Sequence, residues 1–243
     1  MATTLNCQDY YFAAYSAGAD VLMEDTYPIG INTTGLSKWG TLCNATLGDC
    51  GCDNCVGGAH AVRDVRDRLD ALARYERWEA LWPKTKFHNP QSFHGEDYWA
   101  RDPTPAEEFA MNLVAVNHGA QGVVSWVYPA AEVLNVAHGQ LARVLTRSPV
   151  VDFVVANDRP HAVEAAASSE IDVAYWVRGK EMLVSVVNSG YNNITARVEV
   201  ELPGAVSLGS ILWGNATWGL AGKKLWVSGY GPLETSLVVV KLS

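Results

Sequence analysis

Ala19-Asp20-Val21-Leu22-Met23-Glu24-Asp25-Thr26-Tyr27-Pro28 decides how the first half of this chain is read. A short apolar run, Ala19 to Met23, breaks abruptly into acidic and polar residues and then proline. A run of that length reads as a buried parallel strand that delivers polar groups at its C-terminal end. Upstream, Cys7 to Ala17 carries aromatic and alanine residues with helical potential, and Gly18 is a natural stop for a helix.

Two downstream segments repeat the plan. Lys86 to Phe93 is a second strand, running into Gln91-Ser92-Phe93-His94-Gly95-Glu96. Gly122 to Tyr128 is a third, Val-rich and ending in Trp126, Tyr128 and Pro129. Helices separate them. From Ala59 to Trp82, apolar residues at Val62, Val65, Leu69, Leu72, Tyr75, Trp78 and Trp82 fall in steps of three and four, which makes one helical stripe. The opposite face pairs Asp64 with Arg68 and Asp70 with Arg74 at i, i+4, and reads as a solvated outer face. The next helix is signposted at both ends. Thr104 caps it, Pro105 suits its first position, Glu107 completes a capping box and Gly119 ends it. A further helix, Ala131 to Thr146, closes this half. Strands alternating with helices imply parallel pairing with right-handed crossovers, and in such sheets chemistry gathers at the strand C-termini.

After Pro149 the periodicity changes. Val151–Val155, Asp172–Val177, Met182–Val187, Ile194–Leu202, Ser210–Trp213, Lys224–Val227 and Ser236–Leu242 are short β-rich runs with Gly, Asn and Pro turns between them. That is the pattern of an antiparallel β-sandwich. The expected fold class is thus α/β plus all-β: residues 1–149 a partial β/α unit with a cysteine-rich loop at 41–58, and residues 150–243 a small antiparallel β-sandwich.

The composition excludes several functions. The chain has 243 residues, 49% hydrophobic and 18% charged, which is globular. Its net charge is −8 and its 18 Lys and Arg are dispersed, so no basic footprint for nucleic acid is present. No apolar run approaches the ~18 residues that span a bilayer. Met1 to Asp9 lacks the pattern of a signal peptide. Asn-x-Thr sequons nevertheless occur at Asn32, Asn44, Asn193 and Asn215, and four of the five cysteines, Cys43, Cys50, Cys52 and Cys55, crowd into one loop. With Cys7 they favour disulfides over a metal site, because the spacing lacks the separated pairs a tetrahedral zinc site needs. Two bridges would leave one thiol over, and the pairing stays open. No metal and no cofactor are expected. Sequons beside clustered cysteines point to a secreted or extracellular glycoprotein. A chain with secreted features and no signal reads as a piece of a longer protein.

The order of these pieces resembles the last third of a glycoside-hydrolase (β/α)8 barrel followed by a C-terminal β-sandwich. The residues that carry the resemblance are the stretch Gly18 to Pro28, Gln91-Ser92-Phe93, Arg101-Asp102-Pro103-Thr104-Pro105-Ala106-Glu107-Glu108, and His118-Gly119-Ala120-Gln121-Gly122 with Trp126. It covers nearly the whole chain, and it makes the first unit a half barrel whose strands would be the sixth, seventh and eighth. Such enzymes need two carboxyl groups ~5 to 9.5 Å apart across the scissile bond. In the resembled families the acid/base ends the fourth strand, which is missing here. The nucleophile ends the seventh, where this chain has the amide Gln91.

The resemblance leaves Glu24 and Asp25 as catalytic candidates, against capping or pairing with loop amides. Substrate-binding candidates are Tyr27, Gln91, His94, Glu96, Trp126 and Tyr128, with core packing or ordinary loop roles as the alternatives. Trp126 in particular suits a sugar-stacking platform. Three functions follow: a glycan-binding or receptor-binding protein without turnover, a glycoside hydrolase whose site another chain or an N-terminal segment completes, or an inert fragment. Fungal secreted proteins built on such partial barrels are associated with immunomodulation, which the first function accommodates. Three parallel strands leave two open edges and a bare inner face, so a homodimer is expected.

Overall fold

A computed structural model describes residues 1–5, 11–31, 61–95, 99–156, 159–165 and 167–243. All five cysteines, together with Asn32, Asn44 and Glu96, lie outside the described residues. The described chain divides into two compact units, residues 1–116 with 120–137, and residues 117–119 with 138–243.

The first unit is built on a parallel sheet ordered β1 (Ala2–Thr4), β2 (Val21–Glu24), β3 (Thr85–His88) and β4 (Ala120–Val123). The sheet therefore has four strands where three were expected. The extra strand, β1, is three residues long, too short to carry a periodic signal. Its partners are set by register: Ala2 lies beside Val21 and Thr4 beside Met23. β3 stops at His88 where the sequence suggested Phe93, because Pro90 has no N–H to continue the ladder. Single contacts carry the pairing on: Asn89 N–H donates to the Glu24 carbonyl at 2.8 Å and Trp126 N–H to the Pro90 carbonyl at 3.0 Å.

Helix α1 spans Phe12–Ser16, α2 Arg63–Trp78, α3 Pro105–Asn117 and α4 Glu132–Leu145. The apolar stripe of α2 buries Val65, Leu69, Leu72 and Tyr75, and with Phe12, Ala19 and Leu22 part of it forms one core. The stripe ends earlier than expected, since Trp78 and Trp82 are exposed. Its polar face is not simply solvated: Asp64, Arg68 and Glu76 are buried. Glu76 explains one of these, since it meets the buried Lys86 ammonium at 2.6 Å and accepts the Lys84 N–H at 2.8 Å. The capping box of α3 forms as read. Thr104 N–H donates to Glu107 Oε2 at 2.7 Å, Glu107 N–H returns to Thr104 Oγ1 at 3.3 Å, and Arg101 grips both Glu107 oxygens at 2.8 and 2.6 Å.

The second unit holds two antiparallel sheets. One runs β5 (His161–Ala162), β6 (Ile171–Arg178), β7 (Glu181–Asn188), β12 (Thr235–Leu242), β9 (Ala205–Trp213). The other runs β10 (Gly219–Ala221), β11 (Lys224–Val227), β8 (Val198–Glu201). Alternate residues of both sheets, among them Val173, Val184, Val198, Val200, Leu225 and Val238, share one core. Of Val151–Val155, expected as a strand, the first four residues instead belong to a helix, α5 (Val150–Val154), and Val155 caps it. Val150 and Phe153 are buried at i, i+3 spacing, and over five residues that spacing does not differ from a buried strand in the sequence. Gly214 fixes a corner before β10: its φ is +92°, and a Cβ there would lie 2.2 Å from the Thr235 carbonyl oxygen.

Candidate functional site

The polar groups read from the sequence gather where β2, β3 and β4 end. Parallel register sets Glu24, the last residue of β2, beside His88, the last of β3. Both point to the same buried face, and neither has any exposed surface. One Glu24 oxygen accepts the Thr26 N–H at 2.8 Å and the other contacts His88 Nδ1. His88 Nε2 is buried with no hydrogen-bond partner among the described residues. Asp25 is buried as well.

Beyond the strand ends, Gln91 acts as a clamp. Its carbonyl accepts the Ile29 N–H at 2.9 Å, and its amide donates to the Ile29 carbonyl at 2.9 Å and the Phe93 carbonyl at 3.1 Å. A side-chain amide thus imitates a strand neighbour and pins the segment after β2 against the segment after β3. The Tyr27 hydroxyl donates to Asn89 Oδ1 at 2.6 Å, and Asn89 in turn donates to the Val124 carbonyl. Burial, reinforced by the charges of Asp25 and Glu24, raises the Tyr27 phenol far above its ordinary range, so it remains a donor. The rings of Tyr27, Phe93 and Trp99 meet edge-on at 5.0 to 6.0 Å between centroids, and Trp99 Nε1 donates to the Tyr27 carbonyl at 2.9 Å. Ser92 donates to the buried Glu108 at 3.0 Å.

The remaining candidates face outward. Trp126 is tied by its backbone, accepting the Ser92 N–H at 2.5 Å, yet the residue is 54% exposed and Tyr128 is 83% exposed. His94, 59% exposed, pairs with Asp102 at 2.8 Å. The structure therefore buries Glu24, Asp25, Tyr27 and Gln91 at or just beyond the strand ends, and sets His94, Trp126 and Tyr128 at the surface. Sequence reasoning passed over His88, Asn89, Ser92 and Glu108. His88 lay inside the strand read as Lys86 to Phe93, and only the observed end of β3 and its register with β2 set it beside Glu24. Among the described residues no group of three or more His, Cys, Asp or Glu is placed to hold a metal ion, and no helix is long and apolar enough to cross a membrane.

No family model matches the chain, and no curated protein does. Solved structures do. CelM2, a bifunctional glucanase-xylanase from a metagenome library, superposes with a TM-score of 0.52 at 12% identity, over 98% of this chain and 46% of its own. Amy13B of Eubacterium rectale gives 0.49 at 9%, over 100% and 52%, and the debranching enzyme of Nostoc punctiforme 0.47 at 13%, over 95% and 60%. The chain spans about half the length of these proteins. The likeness to CelM2 is one of fold: this chain has a glycoside-hydrolase-like fold.

Proposed function

We propose that this chain binds glycans at the outward rim of its parallel sheet and does not hydrolyse them on its own. On this reading the sheet is part of a β/α barrel and the antiparallel unit is a β-sandwich. One contrast carries the proposal. The carboxylate best placed for chemistry, Glu24, is wholly buried with both oxygens engaged, whereas the rings of Trp126 and Tyr128 are open to solvent. A general acid or nucleophile must reach the glycosidic oxygen or anomeric carbon. An exposed aromatic ring needs only to offer its face to the C–H face of a sugar. The immunomodulatory role implied by the resemblance would then act through recognition and not turnover.

The test is calorimetric titration with xylan, β-glucan and maltodextrin oligosaccharides, beside a hydrolysis assay on the same substrates. Trp126→Ala and Tyr128→Ala are each expected to weaken binding by ~1–2 kcal/mol, about 5–30-fold. Binding untouched by both substitutions, or turnover by the chain alone, refutes the proposal.

The span of 46% of CelM2 favours a second reading, in which the chain belongs to a glycoside hydrolase completed by residues elsewhere. Co-expression with an upstream segment bearing a strand that ends in Asp or Glu would then restore hydrolysis.

A further inference from the structure

A cleft of about 320 Å³ opens in the second unit where β6 begins and β7 ends. We infer that it is a second sugar subsite, taking a neutral pyranose unit, separate from the Trp126 rim. The inference rests on the glycan-binding reading for its ligand class, and on the cleft's own geometry for its place.

The cleft is held in shape by groups that are fully engaged. Asn188, the last residue of β7, is wholly buried; its amide donates to the Asn192 carbonyl at 3.0 Å and the Gly231 carbonyl at 2.7 Å, and its Oδ1 accepts the Gly190 N–H at 3.0 Å. Ser189 donates twice to the Glu170 carbonyl, from its N–H at 2.8 Å and its hydroxyl at 2.9 Å. These bonds join the segment before β6 to the segment after β7. Gly190 lets the Glu170 side chain pack close, since a Cβ there would stand 3.1 Å from Glu170 Cγ and Oε2.

Other lining groups are uncommitted. The side chains of Asn192, Asn193 and Thr195 line the cleft and make no hydrogen bond among the described residues. Two amides and a hydroxyl therefore line the cleft beside Glu170, with Ile194 and Ala196 as apolar lining. Amides both donate and accept, a hydroxyl does the same, and apolar lining suits a C–H face. No Lys or Arg lines the cleft, and Glu170 repels anions, so phosphorylated or acidic ligands are disfavoured. One carboxylate is too few to desolvate a divalent cation. A neutral, polyhydroxylated ring satisfies the set, and the volume lies at the small end of the ~300–1,000 Å³ range of ligand sites.

Asn193-Ile194-Thr195 is also a sequon, so the sugar has two sources, a free saccharide or a glycan attached to Asn193 itself. The bacterially produced, unglycosylated full chain is titrated with cellobiose, xylobiose and maltose while its backbone amide resonances are followed. Shifts are expected at residues 168–170 and 188–196 with at least one disaccharide, and they persist in Trp126→Ala. The double variant Asn192→Ala/Asn193→Ala weakens them about tenfold or more through lost hydrogen bonds. In chain from a glycosylating host, full occupancy of Asn193 that abolishes these shifts assigns the subsite to the attached glycan; shifts that persist assign it to free saccharide. Absence of cleft shifts with all three disaccharides overturns the inference. If shifts then appear only around Trp126, the rim reading survives alone; if none appear anywhere, both fall.

Discussion

Replacing Glu24 separates a structural carboxylate from a catalytic one, because the surroundings of its two oxygens predict how each substitution should rank. Glu24→Ala removes the acceptor of the Thr26 N–H, held at 2.8 Å, and the partner of His88 Nδ1, both at sites without solvent. Each stranded buried group costs ~1–3 kcal/mol, so the variant should lose ~2–6 kcal/mol. Glu24→Gln should be much milder. Its carbonyl keeps the Thr26 contact, and its amide donates to Nδ1 if His88 takes the tautomer protonated at Nε2. That exchange disturbs no other bond, since Nε2 has no partner among the described residues. Only the charge assistance of the original contact is lost, about 1 kcal/mol. Urea denaturation followed by near-ultraviolet circular dichroism gives the differences, and oligosaccharide binding should survive in Glu24→Gln. Equal costs for the two variants would refute the tautomer argument. A stable Glu24→Gln that abolishes a measured hydrolysis would make the residue a catalyst.

Lys86→Met should cost ~3–5 kcal/mol by leaving the buried Glu76 carboxylate uncompensated at the 2.6 Å contact, whereas Lys86→Met with Glu76→Leu should recover most of that; thermal denaturation of the three chains checks the coupling. Gly214→Ala sets a methyl group 2.2 Å from the Thr235 carbonyl oxygen at a φ of +92°, and should be the most destabilising glycine-to-alanine change in the antiparallel unit, by a denaturation series over its glycines. Both outer edges of the β1–β2–β3–β4 sheet are unpaired among the described residues, so light scattering at micromolar concentration should give about twice the 26.4 kDa chain mass; a clean monomer would mean that the edges are covered in another way.

The parallel sheet was legible at β2, where an apolar run breaks into an acidic end, and from the alternation of strands with helices, among which α3 carries a capping box that the structure realises atom by atom. What stayed hidden was set by register or by length. Nothing in a single sequence says that Glu24 and His88 are parallel neighbours; that depends on Val21 pairing with Thr85, a tertiary fact. Strands of two or three residues, β1, β5 and β10, fall below any periodic signal. α5 was misread because β-branched residues favour strands while burial at Val150 and Phe153 favours a helix, and packing decided between them.

Polar residues at the ends of parallel strands answer two demands, and sequence does not say which. A rim must satisfy the backbone groups left where the ladder stops, and a binding rim must also leave some groups for a ligand. Gln91 illustrates the first demand, since its carbonyl and amide both bond the main chain and replace the ladder that Pro90 interrupts. Glu24 does the same for the Thr26 N–H after β2 and Asn89 for the Val124 carbonyl after β4, while the Tyr27 hydroxyl donates to Asn89 Oδ1. Once these engagements are counted, the uncommitted surface of the rim is aromatic, at Trp126 and Tyr128. That division of labour, polar groups engaged in shaping the scaffold and rings facing solvent, is what the proposed glycan-binding reading rests on, and the loss of binding in Trp126→Ala and Tyr128→Ala is its test.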